Sequence, residues 1–442
     1  MYPRTASPAT GGIARPLLQS ASGEEIETFQ LNRLRNGLGR MLPGNAFYQR
    51  RLGDLARAPL PDSAAFRCLP FTTKADLVRD QRENPPYGAN LSFPMRDYVR
   101  LHQTSGTTGQ PLKILDTTES WDWWADCWTV ILHAAGVTSD DIVYLAFSFG
   151  PFIGFWSAYE GAKRVGALVI PGGGQTSAQR MRAIMDTRAT VLICTPTYAL
   201  HLAEVGRAEG IEPAASNIRV TVHAGEPGAS IPNTRRRIEQ LWGARAYDHI
   251  GMTEMGAYGF TCLGQHAVHV NEAEFIAEVL DPVTREPVAE GERGELVLTN
   301  LGRWGSPAIR YRTGDVVQRG GRQCPCGCTF LTLPGGVLGR VDDMLIVRGV
   351  NIYPSSIEDV LRGFPQIEEY RITRRKAGEL DEIELEVECP EALTTDIEAA
   401  LRQALSLRVP VRAVAPGTLP RYELKARRIV LAEERRGEEH GG

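Results

Sequence analysis

The sequence predicts an α/β protein: a large N-terminal domain with helix-covered, mostly parallel sheets and a β subdomain, followed by a small α+β C-terminal domain. After about residue 100, apolar strand-like runs alternate with helical patterns. From about residue 268 the pattern changes to alternating strands joined by turn-rich segments, and from about 340 a shorter strand–helix–strand–strand–helix pattern follows. A chain of 442 residues is also too long for one ordinary core, which independently predicts more than one domain.

The parallel sheet is predicted from five consecutive segments. We expect strands in "DIVYLAF" (141–147), "LVIP" (168–171) and "ATVLICTP" (189–196). Helical spacing of apolar residues marks "WSAYEGAKRVGA" (156–167) and "AQRMRAIMDTR" (178–188) between them. Strands that alternate with helices of this length are typical of a parallel, helix-covered sheet.

Four parts of the chain are predicted. The first, residues 1–20, is rich in Pro, Gly, Ala and Ser and is expected to be a flexible arm. Residues 21–340 form the N-terminal core, in which about 265–338 form the β subdomain. Residues 341–432 form the α+β C-terminal domain, and 433–442 form a charged tail.

Composition and charge exclude several classes of partner. The formal net charge is −4, which gives no electrostatic reason to expect nucleic acid or an anionic membrane. No run of about 18 apolar residues and no secretory signal are found, so we expect a cytoplasmic protein without a membrane span. The eight cysteines are then expected to be free thiols or metal ligands rather than disulfides.

A stretch of small and hydroxylated residues, "TSGTTG" (104–109), is the first candidate for chemistry. Glycines let backbone N–H groups approach phosphate oxygens, and Ser and Thr hydroxyls add hydrogen-bond donors. The stretch is not a Walker A loop, because Gly106 and Gly109 are only three residues apart and Lys113 does not follow a glycine. Taken alone, it fits a phosphate-binding loop or a surface turn equally well.

Five downstream motifs decide between these alternatives: "HAGEP" (223–227), "YDHIGMTEMG" (247–256), "PAIRYRTGD" (307–315), "GRVDDMLIVRGVNIYP" (339–354) and "LPRYELKARRI" (419–429). With the loop, they resemble the adenylate-forming (AMP-binding) superfamily in order and spacing, and most closely its phenylacetate–CoA ligase-like branch of aryl-acid CoA ligases. The resemblance runs from about residue 30 to residue 430. It implies that ATP activates a carboxylic acid to an acyl adenylate with loss of pyrophosphate, after which coenzyme A displaces AMP.

The resemblance also implies the residues that hold ATP and Mg²⁺. The β- and γ-phosphates would be held by the six residues of the loop, Thr104, Ser105, Gly106, Thr107, Thr108 and Gly109. The adenine and acyl sites would be lined by Ala224, Gly225, Glu226 and Pro227, and the adenine would be flanked by Tyr247 and Asp248. Thr253 would contact the α-phosphate and Glu254 would ligate Mg²⁺, since a carboxylate near polyphosphate requires a cation between them.

Four further roles follow from the later motifs. Asp315 would accept hydrogen bonds from the ribose hydroxyls, and Arg340 would lie near the ribose and phosphate. Asp342 would be the hinge of a mobile C-terminal domain. The Lys425 ammonium would bridge the acid's carboxylate and the α-phosphate during adenylation.

An aromatic acid is the expected substrate. By the same resemblance, the segment "FSFGPFIGFW" (147–156) would supply Phe147 and Phe152 to a pocket that also contains Ala224 and Gly251, and aromatic lining suits a flat ring. Phenylacetate, benzoate and anthranilate all fit, and both catabolism and secondary metabolism remain open. A carrier-protein phosphopantetheine as the acceptor, a homodimer, and a non-catalytic binder of the acid or its adenylate also remain open.

A structural zinc site is predicted separately. Three cysteines and one histidine form a sufficient tetrahedral set, and the resemblance assigns the ligands to Cys262, His269, Cys324 and Cys326. Cys328 stands where the family usually has Arg, so whether Cys328 or His266 takes part is left open.

Overall fold

The structure is a computed structural model of the chain. It describes residues 18–53, 60–104, 111–148, 150, 153–265, 267–341, 345–347, 350–377, 380–405, 407–422, 426 and 428–432. The described helices are α1 (Gly23–Met41), α2 (Ala46–Leu52), α3 (Ser63–Arg67), α4 (Lys74–Glu83), α5 (Thr118–Ala134), α6 (Ile153–Val165), α7 (Ser177–Asp186), α8 (Pro196–Ala208), α9 (Pro232–Trp242), α10 (Pro354–Arg362) and α11 (Thr394–Leu405). Within these ranges no helix is both long enough and apolar enough to cross a membrane.

The strands follow the same order along the chain. They are β1 (Tyr98–Gln103), β2 (Lys113–Thr117), β3 (Ile142–Leu145), β4 (Leu168–Pro171), β5 (Val191–Cys194), β6 (Val220–His223), β7 (Arg245–Met252), β8 (Gly256–Thr261), β9 (Val268–Val270), β10 (Phe275–Leu280), β11 (Arg293–Asn300), β12 (Tyr311–Gln318), β13 (Thr332–Leu333), β14 (Val337–Arg340), β15 (Leu345–Val347), β16 (Val350–Ile352), β17 (Tyr370–Ala377), β18 (Leu380–Glu388), β19 (Val411–Val414) and β20 (Ile429–Leu431).

An eight-stranded sheet, in the order β13-β9-β8-β7-β6-β5-β3-β4, organises the N-terminal part. Its strands from β3 to β7 pair in parallel, and β5 and β6 are buried along their whole length, as expected for strands covered on both faces. The predicted α/β fold class is therefore confirmed. Antiparallel pairing begins at β8, earlier than predicted, because the three residues between β7 and β8 are too few for a parallel crossover.

A second, four-stranded sheet has the order β10-β11-β12-β14 and is antiparallel throughout. It forms most of the predicted β subdomain. The strands β9 and β13, which also fall in the predicted range, instead extend the large sheet and pair with each other.

The C-terminal part has its own hydrophobic cluster, from Leu345 to Val409, while the first cluster ends at Leu333. The predicted boundary at 340/341 lies between the two clusters. Beyond the predicted elements, the structure adds β19 and β20 to a sheet of order β19-β18-β17-β20. The parallel pairing of β20 with β17 holds the segment that follows the predicted catalytic Lys425.

The hairpin of β1 and β2 carries the segment that the sequence marked as a phosphate loop. The strands pair antiparallel, and Thr104 closes the base of the loop. The Thr104 N–H donates to the Leu112 carbonyl over 3.0 Å, and the Leu112 N–H donates to Thr104 Oγ1 over 3.0 Å. Residues 105–110 lie outside the described residues.

The helix α1 illustrates how the core limits substitution. A capping box between Ser22 and Glu25 begins the helix, and buried residues along one face pack it against the core. Gly37 lies so close to the Trp304 indole that an added Cβ would be 2.0 Å from ring atom Cζ2. Gly39, two residues later, is exposed and has no atom within 4 Å of an added Cβ.

Alanine at these two positions should therefore have opposite effects. We expect Gly37→Ala to destabilise the protein by about 1–3 kcal/mol, because the indole must move. Gly39→Ala should stabilise it by up to about 1 kcal/mol through helix propensity alone. Midpoints of thermal unfolding of the two variants check this, and equal stabilisation by both would contradict the close packing of α1 on Trp304.

Candidate active site

The carboxyl ends of the parallel strands bring four candidate residues into one row. The residue pairing of the parallel strands β3, β5, β6 and β7 can be continued toward their carboxyl ends. It then places four residues side by side: Phe147, Thr195, Ala224 and His249. Open α/β sheets bind ligands at this edge. Phe147 and Ala224, which the sequence assigned to the acyl pocket, are thus brought together with two residues that it did not assign.

His249 is the titratable member of this row. Its Nδ1 lies 3.1 Å from the Gly259 carbonyl oxygen, and burial lowers its pKa to about 4, so the ring is neutral at physiological pH. A neutral ring whose Nδ1–H donates to a carbonyl keeps a lone pair on Nε2. Among the described residues no donor reaches this Nε2. A Cβ on Gly251, another predicted pocket residue, would lie 2.9 Å from His249 Cε1.

Aromatic side chains surround this row. The Trp128 ring lies 4.3 Å from the His249 ring, and its buried indole N–H has no acceptor within the described part of the chain. Phe147 is buried and stacks on Phe155 with ring centroids 3.3 Å apart. Phe152, also predicted for the pocket, lies outside the described residues.

Glu254, the predicted Mg²⁺ ligand, is buried in the short turn between β7 and β8. Its Oε1 lies 3.5 Å from the Lys74 ammonium at the start of α4. The pKa of Tyr311 is raised well above its usual value. Burial is the larger cause, and the nearby Glu254 carboxylate is the next. A buried carboxylate with one long contact to a cation retains oxygen lone pairs that can bind a divalent ion.

Asp315, the predicted ribose ligand, is held next to Arg340 by the pairing of β12 with β14. Its Oδ1 accepts from Arg340 Nη1 over 3.2 Å, and its Oδ2 accepts from the Tyr258 hydroxyl over 3.1 Å. Gly314, at φ +75°, permits the approach of Arg340, since an added Cβ would lie 2.7 Å from Arg340 Nη2. Two residues with separate predicted roles therefore form one ion pair.

Tyr247 and Asp248 project to opposite sides of β7, as alternate residues of a strand must. The Tyr247 hydroxyl donates to the Leu263 carbonyl over 3.3 Å, toward the cysteine-containing loop. Asp248 Oδ2 accepts from the Ser230 N–H over 3.0 Å and from the Ser230 hydroxyl, and burial raises its pKa to about 7. The two side chains do not face a common volume, and their assignment to the adenine stays a prediction.

A buried ion pair links the strand after the predicted phosphate loop to the turn that carries Glu254. Arg303 donates to both oxygens of Asp116 on β2 over 2.6 Å, and both side chains are fully buried. Arg303 Nη1 also donates to the Thr253 carbonyl over 2.5 Å, and its guanidinium lies 4.5 Å from the Trp124 ring centre. Thr253, predicted to contact the α-phosphate, is thus positioned through its backbone.

Glu226 lies at the contact between the N-terminal and C-terminal parts. Its Oε1 accepts from the Thr197 N–H over 3.0 Å, and its Oε2 accepts from the Ala426 N–H over 2.8 Å. Gly225 has φ +94°, and Pro227 is half-buried beside it. Both carboxylate oxygens of Glu226 thus accept hydrogen bonds from backbone N–H groups. Its contact with the adenine or the acid stays a prediction. Asp342 and Lys425 lie outside the described residues.

The four predicted zinc ligands form a compact group. The ligand atoms of Cys262, His269, Cys324 and Cys326 all lie within 4.8 Å of one another. Tetrahedral Zn²⁺ with Zn–S of about 2.3 Å and Zn–N of about 2.0–2.1 Å requires S–S and S–N separations of about 3.8 and about 3.5 Å. The observed Cys262–Cys324 sulfur separation is 3.9 Å, and Cys326 Sγ lies 3.5 Å from His269 Nε2.

The surroundings of the group also fit a metal. His269 Nδ1 lies 3.2 Å from the Phe330 carbonyl oxygen, which leaves Nε2 free to face the sulfurs, as is usual for a metal-bound imidazole. The Cys328 N–H donates to Cys326 Sγ over 3.4 Å, so Cys328 contacts the group through its backbone. His266, the other candidate ligand, lies outside the described residues.

Sequence reasoning did not identify Lys74, Trp128, Thr197, His249 or Arg303. Each obtains its place from a partner far along the chain; Arg303 and Asp116, for example, are 187 residues apart. His249 was the one residue with an available signal, because it lies inside the "YDHIGMTE" motif.

Comparison with known proteins agrees with the fold. Residues 65–302 match the AMP-binding enzyme family, and residues 349–432 match the AMP-binding enzyme C-terminal domain. Phenylacetate-coenzyme A ligase of Pseudomonas putida is 34% identical over 92% of this chain and 94% of its own. The chain belongs to the adenylate-forming AMP-binding enzymes, in the phenylacetate–CoA ligase-like branch, and is an AMP-forming acid–CoA ligase.

Two crystal structures of a 2-hydroxyisobutyryl-CoA ligase differ in their similarity to this chain. The postadenylation state with 2-HIB-AMP has a TM-score of 0.90 at 29% identity and covers 99% of this chain and 97% of that chain. The thioesterification state with 2-HIB-AMP and CoA has a TM-score of 0.72 at 30% identity, with 99% and 98% covered. Since the identity and coverage are nearly equal, the difference lies in how the parts are arranged.

Proposed function

We propose that this enzyme activates an aromatic carboxylic acid with ATP to an acyl adenylate and then transfers the acyl group to coenzyme A. The row of Phe147, Ala224 and His249 at the carboxyl edge of the parallel sheet is the observation that carries the proposal. Similarity to phenylacetate-coenzyme A ligases supports an aromatic acid. A cytoplasmic location and action without a membrane or nucleic acid are part of the same proposal.

The nucleotide would lie beyond this row. Asp315 and Arg340 would bind the ribose and phosphate side, while residues 104–109 would hold the pyrophosphate end. Glu254 would hold Mg²⁺, which neutralises phosphate charge when bound. Lys425 would align the acid's carboxylate with the α-phosphate. The greater similarity to the postadenylation structure supports an arrangement in which the segment around Ala426 faces the N-terminal domain, through its contact with Glu226.

The polar groups of the row favour particular acids. A ring substituent that donates a hydrogen bond would satisfy His249 Nε2, and a hydroxyl oxygen could also accept from the unpartnered Trp128 indole. Among the candidate acids, this favours amino- and hydroxybenzoates such as anthranilate over unsubstituted benzoate or phenylacetate. The buried Trp128 indole N–H disfavours an acid that offers it no acceptor.

We also propose that Cys262, His269, Cys324 and Cys326 hold a structural Zn²⁺. The site would join the end of β8 and the strand β9 to the loop between β12 and β13. All four positions are filled by protein ligands, which is typical of structural rather than catalytic zinc.

Pyrophosphate release across a panel of acids tests the activity. We expect ATP-dependent release with phenylacetate, benzoate or anthranilate, and AMP release on addition of coenzyme A. The aliphatic acid 2-hydroxyisobutyrate serves as the comparison. Absence of pyrophosphate release with every acid would refute adenylation, and preference for the aliphatic acid would refute the aromatic substrate. AMP release that needs a carrier protein and ignores coenzyme A would favour the alternative acceptor.

Replacement of His249 tests the substrate class. We expect His249→Leu to lower kcat/KM for anthranilate or a hydroxybenzoate about tenfold or more, because a hydrogen bond worth about 1–3 kcal/mol is lost. The value for benzoate should change little. His133→Leu, at an exposed position on α5, is the control and should behave like the wild type. An equal loss for all acids would contradict a role in selecting the substituent.

Metal analysis tests the zinc site. Freshly purified protein should contain about one zinc per chain. Cys326→Ser should lower both the zinc content and the midpoint of thermal unfolding, whereas Cys68→Ser, at an exposed thiol outside the group, should change neither. Well under one equivalent of zinc in the wild-type protein would count against the site.

A further inference from the structure

The strand segment that follows Lys425 is attached to the N-terminal domain at two points. The Ala426 N–H donates to Glu226 Oε2 over 2.8 Å. Two residues later, Arg428 Nη2 donates to Thr197 Oγ1 over 3.2 Å. The two attachments lie on the C-terminal side of Lys425 in the sequence. Thr197 belongs to the N-terminus of α8, and Glu226 lies between β6 and α9 and contacts that N-terminus through the Thr197 N–H.

Glu226 and Thr197 form one unit on the N-terminal side of this contact. The Thr197 N–H donates to Glu226 Oε1 over 3.0 Å, while the Thr197 hydroxyl accepts from Arg428. The positive end of the helix dipole of α8 favours a carboxylate at this position. Glu226 is therefore held in place by its own domain and presents its second oxygen to residue 426.

Arg428 is held in the same way on the C-terminal side. Its Nε donates to Glu369 Oε1 over 2.6 Å, and its guanidinium lies 4.9 Å from the centre of the Tyr370 ring. Arg428 is buried, so the side chain has little freedom of its own. The side chains of Arg428 and Thr197, each held within its own part of the protein, thus meet across the contact.

Other polar contacts between the two parts lie farther from Lys425 in the sequence, and they include the ion pair of Arg421 Nε with Glu204 Oε2 over 3.9 Å. Asn233 donates to Asp359 on α10 through its backbone N–H and its side chain, over 2.9 and 2.7 Å. Arg237 donates to the Ile367 carbonyl over 2.5 Å. Of the contacts given by the described residues, the bond from Ala426 to Glu226 is nearest in sequence to Lys425.

We infer that Glu226 is a positioning residue for adenylation, which docks the backbone next to Lys425 and is not needed for thioester formation. The inference rests on the proposed function. Both oxygens of Glu226 accept from backbone N–H groups, so the position requires two acceptors. Glutamine has the same shape but only one acceptor, and its amide N–H₂ would face one of the two donors. Domain contacts of this kind matter only in the arrangement in which they form.

The experiment separates the two half-reactions in the full-length protein. Adenylation is measured as pyrophosphate release with ATP and the best acid of the panel, and thioester formation is measured from supplied acyl-AMP and coenzyme A. We expect Glu226→Gln to slow adenylation tenfold or more and to leave thioester formation within about twofold of the wild type. Lys425→Ala should show the same selectivity.

Two further variants make the test specific. Glu239→Gln is the matched control, since Glu239 also accepts from a backbone N–H, that of Ala246, but within the N-terminal domain, and it should leave both rates unchanged. Thr197→Val removes the acceptor of Arg428 and keeps the backbone donor to Glu226, so it should slow adenylation selectively even if Glu226→Gln folds poorly.

The possible failures are distinguishable. A wild-type enzyme that performs neither half-reaction refutes the proposed function and leaves no basis for the role of Glu226. An active wild type whose Glu226→Gln and Thr197→Val variants lose both half-reactions equally, or lose neither, overturns the inference alone.

Discussion

The buried ion pair of Arg303 and Asp116 is the interaction on which the position of the turn that carries Glu254 depends. Removing both charges from water costs several kcal/mol per ion, so the pair must be well compensated. Two 2.6 Å hydrogen bonds, the Thr253 carbonyl and the face of Trp124 provide that compensation. Because Asp116 lies on β2 and Thr253 directly precedes Glu254, the pair fixes β2 relative to the turn that carries this carboxylate.

The contact between the two parts of the protein is built differently. It includes hydrogen bonds, such as those from Asn233 to Asp359, and the ion pair of Arg421 with Glu204, while the two hydrophobic clusters remain separate. Polar groups at such a contact can exchange their partners for water when the parts separate, whereas a shared apolar core could not. A C-terminal domain that docks and leaves within one catalytic cycle stays a prediction, and a polar contact suits it.

The sequence predicted more of the fold than of the contacts within the site. The alternation of strands and helices from β3 to β5 was predictable because it depends on local apolar spacing and on short connections. The strands β1, β2, β19 and β20 were not recognised, since β1 is largely exposed, β19 is only partly buried, and both carry weak alternation. In the site, the motifs indicated the candidate residues. The contacts of those residues were not predictable, because their partners lie far away along the chain.

By itself, the sequence determined the class of the fold, the family and the candidate residues, including the four that could bind zinc. These properties depend on residue types and on spacing along the chain. Only the tertiary structure decided that Tyr247 and Asp248 face opposite ways, that His249 shares the row with Ala224 and lies against Trp128, and that Glu226 reaches Ala426. Each of these depends on strand register or on a contact across as many as 200 residues, which local spacing does not encode.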